Sequence, residues 1–205
     1  MGNTPLDYRE ANHGRLRASL IAAARELAVT QGWGAVRVVD VADAVGVSRQ
    51  TVYNEFGNRA GLAESIAISE IERFVDVVRK ELYAHGADLR AAAQATITAV
   101  LTDASANPLV RSILSSPGKE ADELLPFLTT RSAVLDMAGQ VVSDWIAAVA
   151  PELNDVSAAL AAESIVRLTV SHIVLPSASP QASAKTLAEV LMQLLRPTTT
   201  PSAPA

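Results

Sequence analysis

Glycines at positions 32, 46 and 57 cut the N-terminal part of the chain into short segments, each with apolar side chains at helical spacing. Such a pattern leaves room only for short helices joined by tight turns. Leu16, Leu20, Ala24, Leu27 and Ala28 recur three and four apart and predict a first helix that stops at Gln31-Gly32. Val38, Val41, Ala42 and Val45 share one side of a second, ended by Gly46, a residue that closes helices by turning left-handed. Ser48 is suited to cap a third, in which Val52 and Phe56 face inward one turn apart before Gly57 breaks it, and Asn58 caps a fourth.

The fourth helix is expected over Arg59–Leu82, with Leu62, Ile66, Ile71, Phe74, Val75 and Val78 as its apolar stripe, long enough to connect two domains. Asp88 opens a fifth after His85-Gly86, and Asn107-Pro108 signals a short sixth. Residues Ser115 to Pro126 interrupt the pattern, after which a seventh helix is expected over Thr129–Ala150, stopped by Pro151. Asn154 caps an eighth ending near Pro176, and Ser179-Pro180 opens a ninth, carrying Leu187, Leu191, Leu194 and Leu195. No strand pattern and no internal repeat is visible, so the predicted fold is all-α with about nine helices.

Composition narrows the possible chemistry. The apolar fraction is 49% but the aromatic fraction only 4%, so burial must come from many small and aliphatic side chains, which suits helices. With no cysteine, a disulfide framework, a thiolate metal site and a cysteine nucleophile are unavailable, and a reducing cytoplasm suits the chain. His13, His85 and His172 are far apart, no HExxH motif or phosphate-cradling glycine loop is present, and no cofactor is implied. The start of the chain lacks a signal peptide's apolar core, and no uninterrupted apolar stretch reaches the ~18 residues that suggest a membrane span. The formal charge of −5 argues against indiscriminate binding to nucleic acid, but it is unevenly spread: residues 1–60 carry seven Arg against six acidic residues, while the remainder carries ten basic against sixteen acidic.

Between its inward-facing apolar residues the third helix turns Ser48, Arg49, Gln50, Thr51, Tyr53 and Asn54 outward. These side chains hydrogen-bond phosphates and base edges: arginine pairs with guanine, glutamine or asparagine with adenine, and a threonine methyl meets thymine, all in the major groove that admits a helix. The same stretch resembles the TetR family of bacterial repressors. The resemblance rests on Gly32-Trp33, Asp40-Val41-Ala42, Ala44-Val45-Gly46-Val47-Ser48, Thr51-Val52-Tyr53-Asn54-Glu55-Phe56, Arg59 and Leu62, and covers roughly a third of the chain closely. It implies an N-terminal arm at 1–14, a helix-turn-helix DNA-binding domain at 15–60 with its motif at about 38–57, and a larger ligand-binding and dimerisation domain at 61–196; the tail at 197–205 is Pro, Thr, Ser and Ala, a composition with nothing to bury, and is expected to be disordered.

Carried over by position, the resemblance implies that Tyr53 and Arg59 contact backbone phosphates of double-stranded operator DNA and that Arg49, Gln50, Thr51 and Asn54 read bases. Two positions depart from the pattern. Arg37 stands where a capping Thr or Ser is usual, and Val39 where a polar residue is usual; losing the hydroxyl cap costs about 1 kcal/mol, although Arg37 can still reach a phosphate.

A single recognition helix reads few base pairs, so a homodimer is expected. The resemblance implies that the last two helices form it, with Leu160, Leu168, Leu187, Leu191 and Leu194 as contact residues, although the same stripes could face their own core. Helices five to eight would surround a pocket for a small hydrophobic effector, with Gln94, Thr96, Arg111, Arg131, Trp145, Arg167 and His172 as polar contacts. The stretch from Leu109 to Thr130, with Glu123-Leu124-Leu125-Pro126-Phe127, is also similar to regulators found beside alkane-oxidation genes in actinobacteria, which implies a fatty acid or related long-chain molecule. A helical-pocket enzyme and a protein-interaction module are the rival readings; the outward polar set on the third helix weighs against the second.

Overall fold

The computed structural model describes residues 5–86, 88–115, 133–152 and 155–196, with Leu124 and Pro126 besides. The described residues form nine α-helices and no strand: α1 Pro5–Gln31, α2 Val38–Val45, α3 Arg49–Phe56, α4 Arg59–Ala84, α5 Leu89–Ala106, α6 Pro108–Ser115, α7 Ala133–Val149, α8 Asp155–Val174 and α9 Pro180–Leu194, with a 3-10 turn at Trp33–Ala35. The chain divides into two compact units, one of residues 1–71 and 107–131, the other of residues 72–106 and 132–205.

Helix ends follow local chemistry. Ser48 Oγ accepts the Thr51 N–H at 3.1 Å, Asn58 Oδ1 that of Gly61 at 2.9 Å, Asp88 Oδ1 that of Ala91 at 2.9 Å, Asn107 Oδ1 that of Leu109 at 2.9 Å and Ser179 Oγ that of Ala182 at 3.3 Å. Each satisfies a backbone donor that the first turn of a helix leaves without a partner. The expected Asn154 cap and the segment from Ser116 to Glu123 lie outside the described residues.

In the first unit, Leu20, Ala24 and Ala28 of α1 pack on Trp33, Val36, Val41, Ala42, Val52 and Phe56, and the core continues through Leu62, Ala63 and Ile66 of α4 to Leu109 and Ile113 of α6. The expected boundary at residue 60 is therefore displaced. The first turns of α4 and all of α6 belong with the N-terminal helices, because their apolar side chains complete that core. The expected arm at 1–14 is, from Pro5 onward, the beginning of α1. Its residues carry no apolar stripe, so periodicity does not announce the helix; Pro5 at the first helical position is compatible with it.

The second unit is built from small side chains. α5 lies along α9 and α7 along α8, and α8 also touches α5 and α9. Ala92, Ala93 and Ala104 of α5 and Ala184 and Ala188 of α9 are buried, which lets helix axes approach closely, while Trp145 is the largest side chain wholly enclosed. Arg90 of α5 pairs with Glu189 of α9, and Arg73 of α4 donates to Asp103 of α5 at 2.7 Å.

Candidate nucleic-acid interface

The turn between α2 and α3 is made by Gly46, whose φ of 76° and ψ of 34° are left-handed, and closed by Val47 N–H donating to Ala42 O at 3.0 Å. Ser48 follows in extended backbone and starts α3. Val52 and Phe56 are buried, which fixes the rotation of α3 about its axis. Arg49, Gln50, Tyr53 and Asn54 consequently form one exposed stripe, with Thr51 half-buried at its edge. Within that stripe Gln50 Nε2 donates to Asn54 Oδ1 at 2.8 Å, and Tyr53 is 45% exposed. Ser48 Oγ and Thr51 Oγ1 share a hydrogen bond of 3.0 Å, so both hydroxyls are engaged at the start of the helix.

Arg37 and Arg59 are held by the protein itself. At the start of α2 the Asp40 carboxylate accepts from the Arg37 backbone N–H at 3.3 Å and from its guanidinium Nε and Nη2 at 3.1 Å each. Arginine has no acceptor to return to the helix, so this box is one-sided: Asp40 satisfies the Arg37 N–H, while its own N–H, which a hydroxyl at position 37 would accept, goes to the Arg37 carbonyl at 3.0 Å. The hydrogen bond from Arg37 holds the Asp40 carboxyl below the ordinary carboxylate range, and the same bond raises the Arg37 guanidinium. Arg59 is half-buried: its Nε donates to Val36 O at 3.1 Å, Nη2 donates to Trp33 O, and the guanidinium lies 4.5 Å from the centre of the Trp33 ring. Where the family resemblance implies a phosphate contact, the geometry has Arg59 bracing the turn ahead of α2.

Three further side chains set the frame and have no signal in periodicity or motif. Arg17 of α1 donates to Glu55 O at 3.1 Å and to Ser65 Oγ at 2.9 Å and lies 4.6 Å from the Phe56 ring centre, tying α1 to the end of α3 and to α4. His13 Nε2 lies 2.8 Å from Glu55 Oε1. Glu70, 3% exposed, accepts from Arg25 Nε at 2.5 Å and from Asn107 Nδ2 at 2.6 Å. Gly61 is also required: a side chain there would run into the Phe56 carbonyl oxygen, so the α3–α4 corner can be this tight only with glycine.

The expected effector contacts are not brought together as a set. Thr96 and Trp145 are buried in the second unit, and Thr96 Oγ1 and Trp145 Nε1 have no hydrogen-bond partner among the described residues. Gln94, Arg111 and Arg167 are exposed, Arg167 pairing with Glu163 at 2.8 Å; His172 Nδ1 lies 2.9 Å from Leu168 O, and Arg131 is outside the described residues. A groove of 490 Å³ is lined by Arg79, Lys80, Tyr83, Val141 and Asp144, none of them expected.

Of the expected dimer contacts, Leu160, Leu168 and Leu194 are exposed, but Leu187 and Leu191 are each 2% exposed. Their face of α9 is taken up by the core of their own unit, so they are not available as surface contacts. Val156 at 78% exposure and Leu175 at 74% extend the exposed apolar residues of α8 instead.

Comparison with known proteins gives a concordant result. The family model described as bacterial regulatory proteins, tetR family, matches residues 20–66, and the model for the bacterial tetracyclin repressor C-terminal domain matches residues 88–193. The HTH-type transcriptional regulator AlkX of Mycobacterium tuberculosis is 34% identical over 192 residues, which span 91% of this chain and 88% of that one. Among solved structures, the TetR family repressor AlkX from Dietzia sp., implicated in biodegradation of n-alkanes, superposes with a TM-score of 0.71 at 32% identity, covering 87% of this chain and 94% of that one. Thermus thermophilus FadR, a transcriptional repressor in complex with lauroyl-CoA, shares the fold at a TM-score of 0.58 and 14% identity, over 92% of this chain and 100% of that one.

Proposed function

Because the chain belongs to the TetR family of DNA-binding transcriptional regulators, we propose that it works as a homodimeric repressor that leaves its operator when a small, largely apolar molecule binds its second unit. The observation that carries this reading is the outer face of α3: Arg49, Gln50, Tyr53 and Asn54 stand exposed on a helix whose opposite face, Val52 and Phe56, is locked in the core. Tyr53 and Arg49 contact phosphate and base, and the helix lies in the major groove.

Two such helices about 34–36 Å apart read successive turns of the duplex, and α8 supplies the means of pairing them. Its Val156–Val174 stretch is apolar enough, at a mean hydropathy of 1.2, to pass for a membrane span by length and composition, yet only 28% of that window is buried. Leu160 at 61% exposure, with Val156, Leu168 and Leu175, forms an apolar surface that a second copy covers. The Dietzia relative is implicated in n-alkane biodegradation and the Thermus protein binds lauroyl-CoA. Both favour a long-chain acyl molecule as effector, its polar end met by Thr96 or Trp145. The effector acts by binding the released conformer more tightly than the operator-bound one. The protein needs no cofactor, works in the cytoplasm beside its DNA and releases its effector chemically unchanged.

The test is fluorescence anisotropy of the purified protein on its own upstream DNA at two salt concentrations, with lauric acid and lauroyl-CoA titrated into the complex. Expected are salt-sensitive, specific binding, its loss in a Tyr53→Ala/Arg49→Ala double variant, loss of dimer and operator affinity together in Leu160→Glu, and release by an acyl ligand. Equal, weak binding of wild type and double variant to upstream and random DNA would overturn the repressor reading. Operator affinity unchanged by saturating acyl ligand would remove the proposed effector.

A further inference from the structure

We infer that Gln50 reads an adenine in each half-site and that Asn54 is the positioning residue that turns the Gln50 amide toward it. The inference rests on the DNA-binding reading and adds to it which base is selected and by which pair of atoms.

Gln50 and Asn54 are one helical turn apart on the exposed stripe of α3, and Gln50 sits at the second position of the helix, the end from which recognition helices reach base edges. A glutamine amide has two ends of nearly equal shape and opposite chemistry, an oxygen that accepts and a nitrogen that donates twice. Left to itself on the surface, it presents either end to a base. Here Gln50 Nε2 donates to Asn54 Oδ1 at 2.8 Å, which commits one of its two hydrogens and holds the amide in one orientation as long as Asn54 keeps its oxygen toward Gln50. With the hydrogen remote from Oε1 given to Asn54, the other Nε2 hydrogen and one lone pair of Oε1 stand side by side on the free edge of the amide.

That edge, one donor beside one acceptor, complements the major-groove edge of adenine, which offers N7 as acceptor and the N6 amino group as donor. Guanine presents two acceptors and would leave Oε1 facing an oxygen. Cytosine offers its amino donor alone and thymine an acceptor and a methyl group, so neither meets both ends of the amide. Orientation before binding also lowers the ordering cost of the contact, since the rotamer of a long side chain is already chosen.

The experiment is enrichment of binding sites from a pool of random duplex DNA by the wild-type protein and four variants, all at exposed positions. Wild type is expected to enrich a motif with adenine at one position of each half-site. Gln50→Ala should lower the preference for adenine there by about 5- to 140-fold, the discrimination carried by a bidentate pair. Gln50→Glu should exchange adenine for cytosine, because a carboxylate accepts from the cytosine amino group. Asn54→Ala removes the orienting acceptor and should flatten the preference by roughly 2- to 12-fold, as one hydrogen bond would. Asn54→Asp keeps the acceptor and should keep the adenine even if affinity falls uniformly across sequences, an outcome that a merely structural role for Asn54 would not produce. The same motif in Gln50→Ala, Gln50→Glu and wild type would overturn the assignment of Gln50, and equal preferences in Asn54→Ala and wild type would overturn the orienting role. If wild type itself enriches no motif, the DNA-binding reading fails and takes this one with it.

Discussion

The two units solve the same packing problem by different means. The first holds its helices with long polar side chains that cross between elements: Arg17 to Glu55 and Ser65, Arg25 to Glu70, Arg59 to Val36 and Trp33, Asn107 to Glu70. The second relies on alanines and aliphatic residues, with polar ties such as Arg90–Glu189 at its surface. Hydrogen bonds have direction, and a buried carboxylate such as Glu70 tolerates little displacement of its partners. Alanine faces fix the distance between helices but leave sliding and tilting cheap. A reading head must present its side chains at one orientation, whereas a sensing unit must have more than one arrangement within reach.

The sharpest way to break this comparison is Arg25→Ala. It removes a guanidinium from a carboxylate that is 3% exposed, and the expected loss is about 3–5 kcal/mol of unfolding free energy, read by urea denaturation. A loss below about 1 kcal/mol, the range of an exposed ion pair, would mean that the polar clamp does not hold the first unit. In the second unit the complementary change is one of volume. Ala188→Leu forces three extra carbon atoms into the buried face of α9 and should cost about 1–3 kcal/mol by the same measurement. If it costs nothing, the close approach of the helices in this unit does not depend on small residues.

The smallest effect concerns the cap of α2. The Asp40 carboxyl is held below its unfolded value of about 3.9, so its contribution to stability is complete above that pH and is lost as pH falls through the lowered folded value. Asp40→Asn should therefore be less stable than wild type near neutrality, with the difference closing below about pH 4. A difference that persists unchanged into acid would show that Asp40 acts through its shape and not its charge.

How much of this was legible beforehand follows from range. The caps at Ser48, Asn58, Asp88, Asn107 and Ser179 join residues two or three apart, and the buried stripe of α1 repeats every three or four, so both can be read along the chain. The outward set on α3 was readable for the same reason. Arg59 reaches back 23 residues to Val36, Arg17 forward 38 to Glu55 and Arg25 forward 45 to Glu70, none of which the spacing foretells. No periodicity connects such positions.

Leu187, Leu191 and Leu194 show the same limit within one helix. They lie on a single apolar face by spacing, yet Leu187 and Leu191 are enclosed and Leu194 is not. By itself the sequence determined the helices, their capped ends though not the start of α1, the tight glycine turns and the chemistry of the recognition stripe, because each depends on neighbours within about one turn. Only the tertiary structure decided which arginines brace and which face outward, which glycine a carbonyl crowds, and which leucines remain exposed. These depend on what another, sequence-distant helix brings against the same surface.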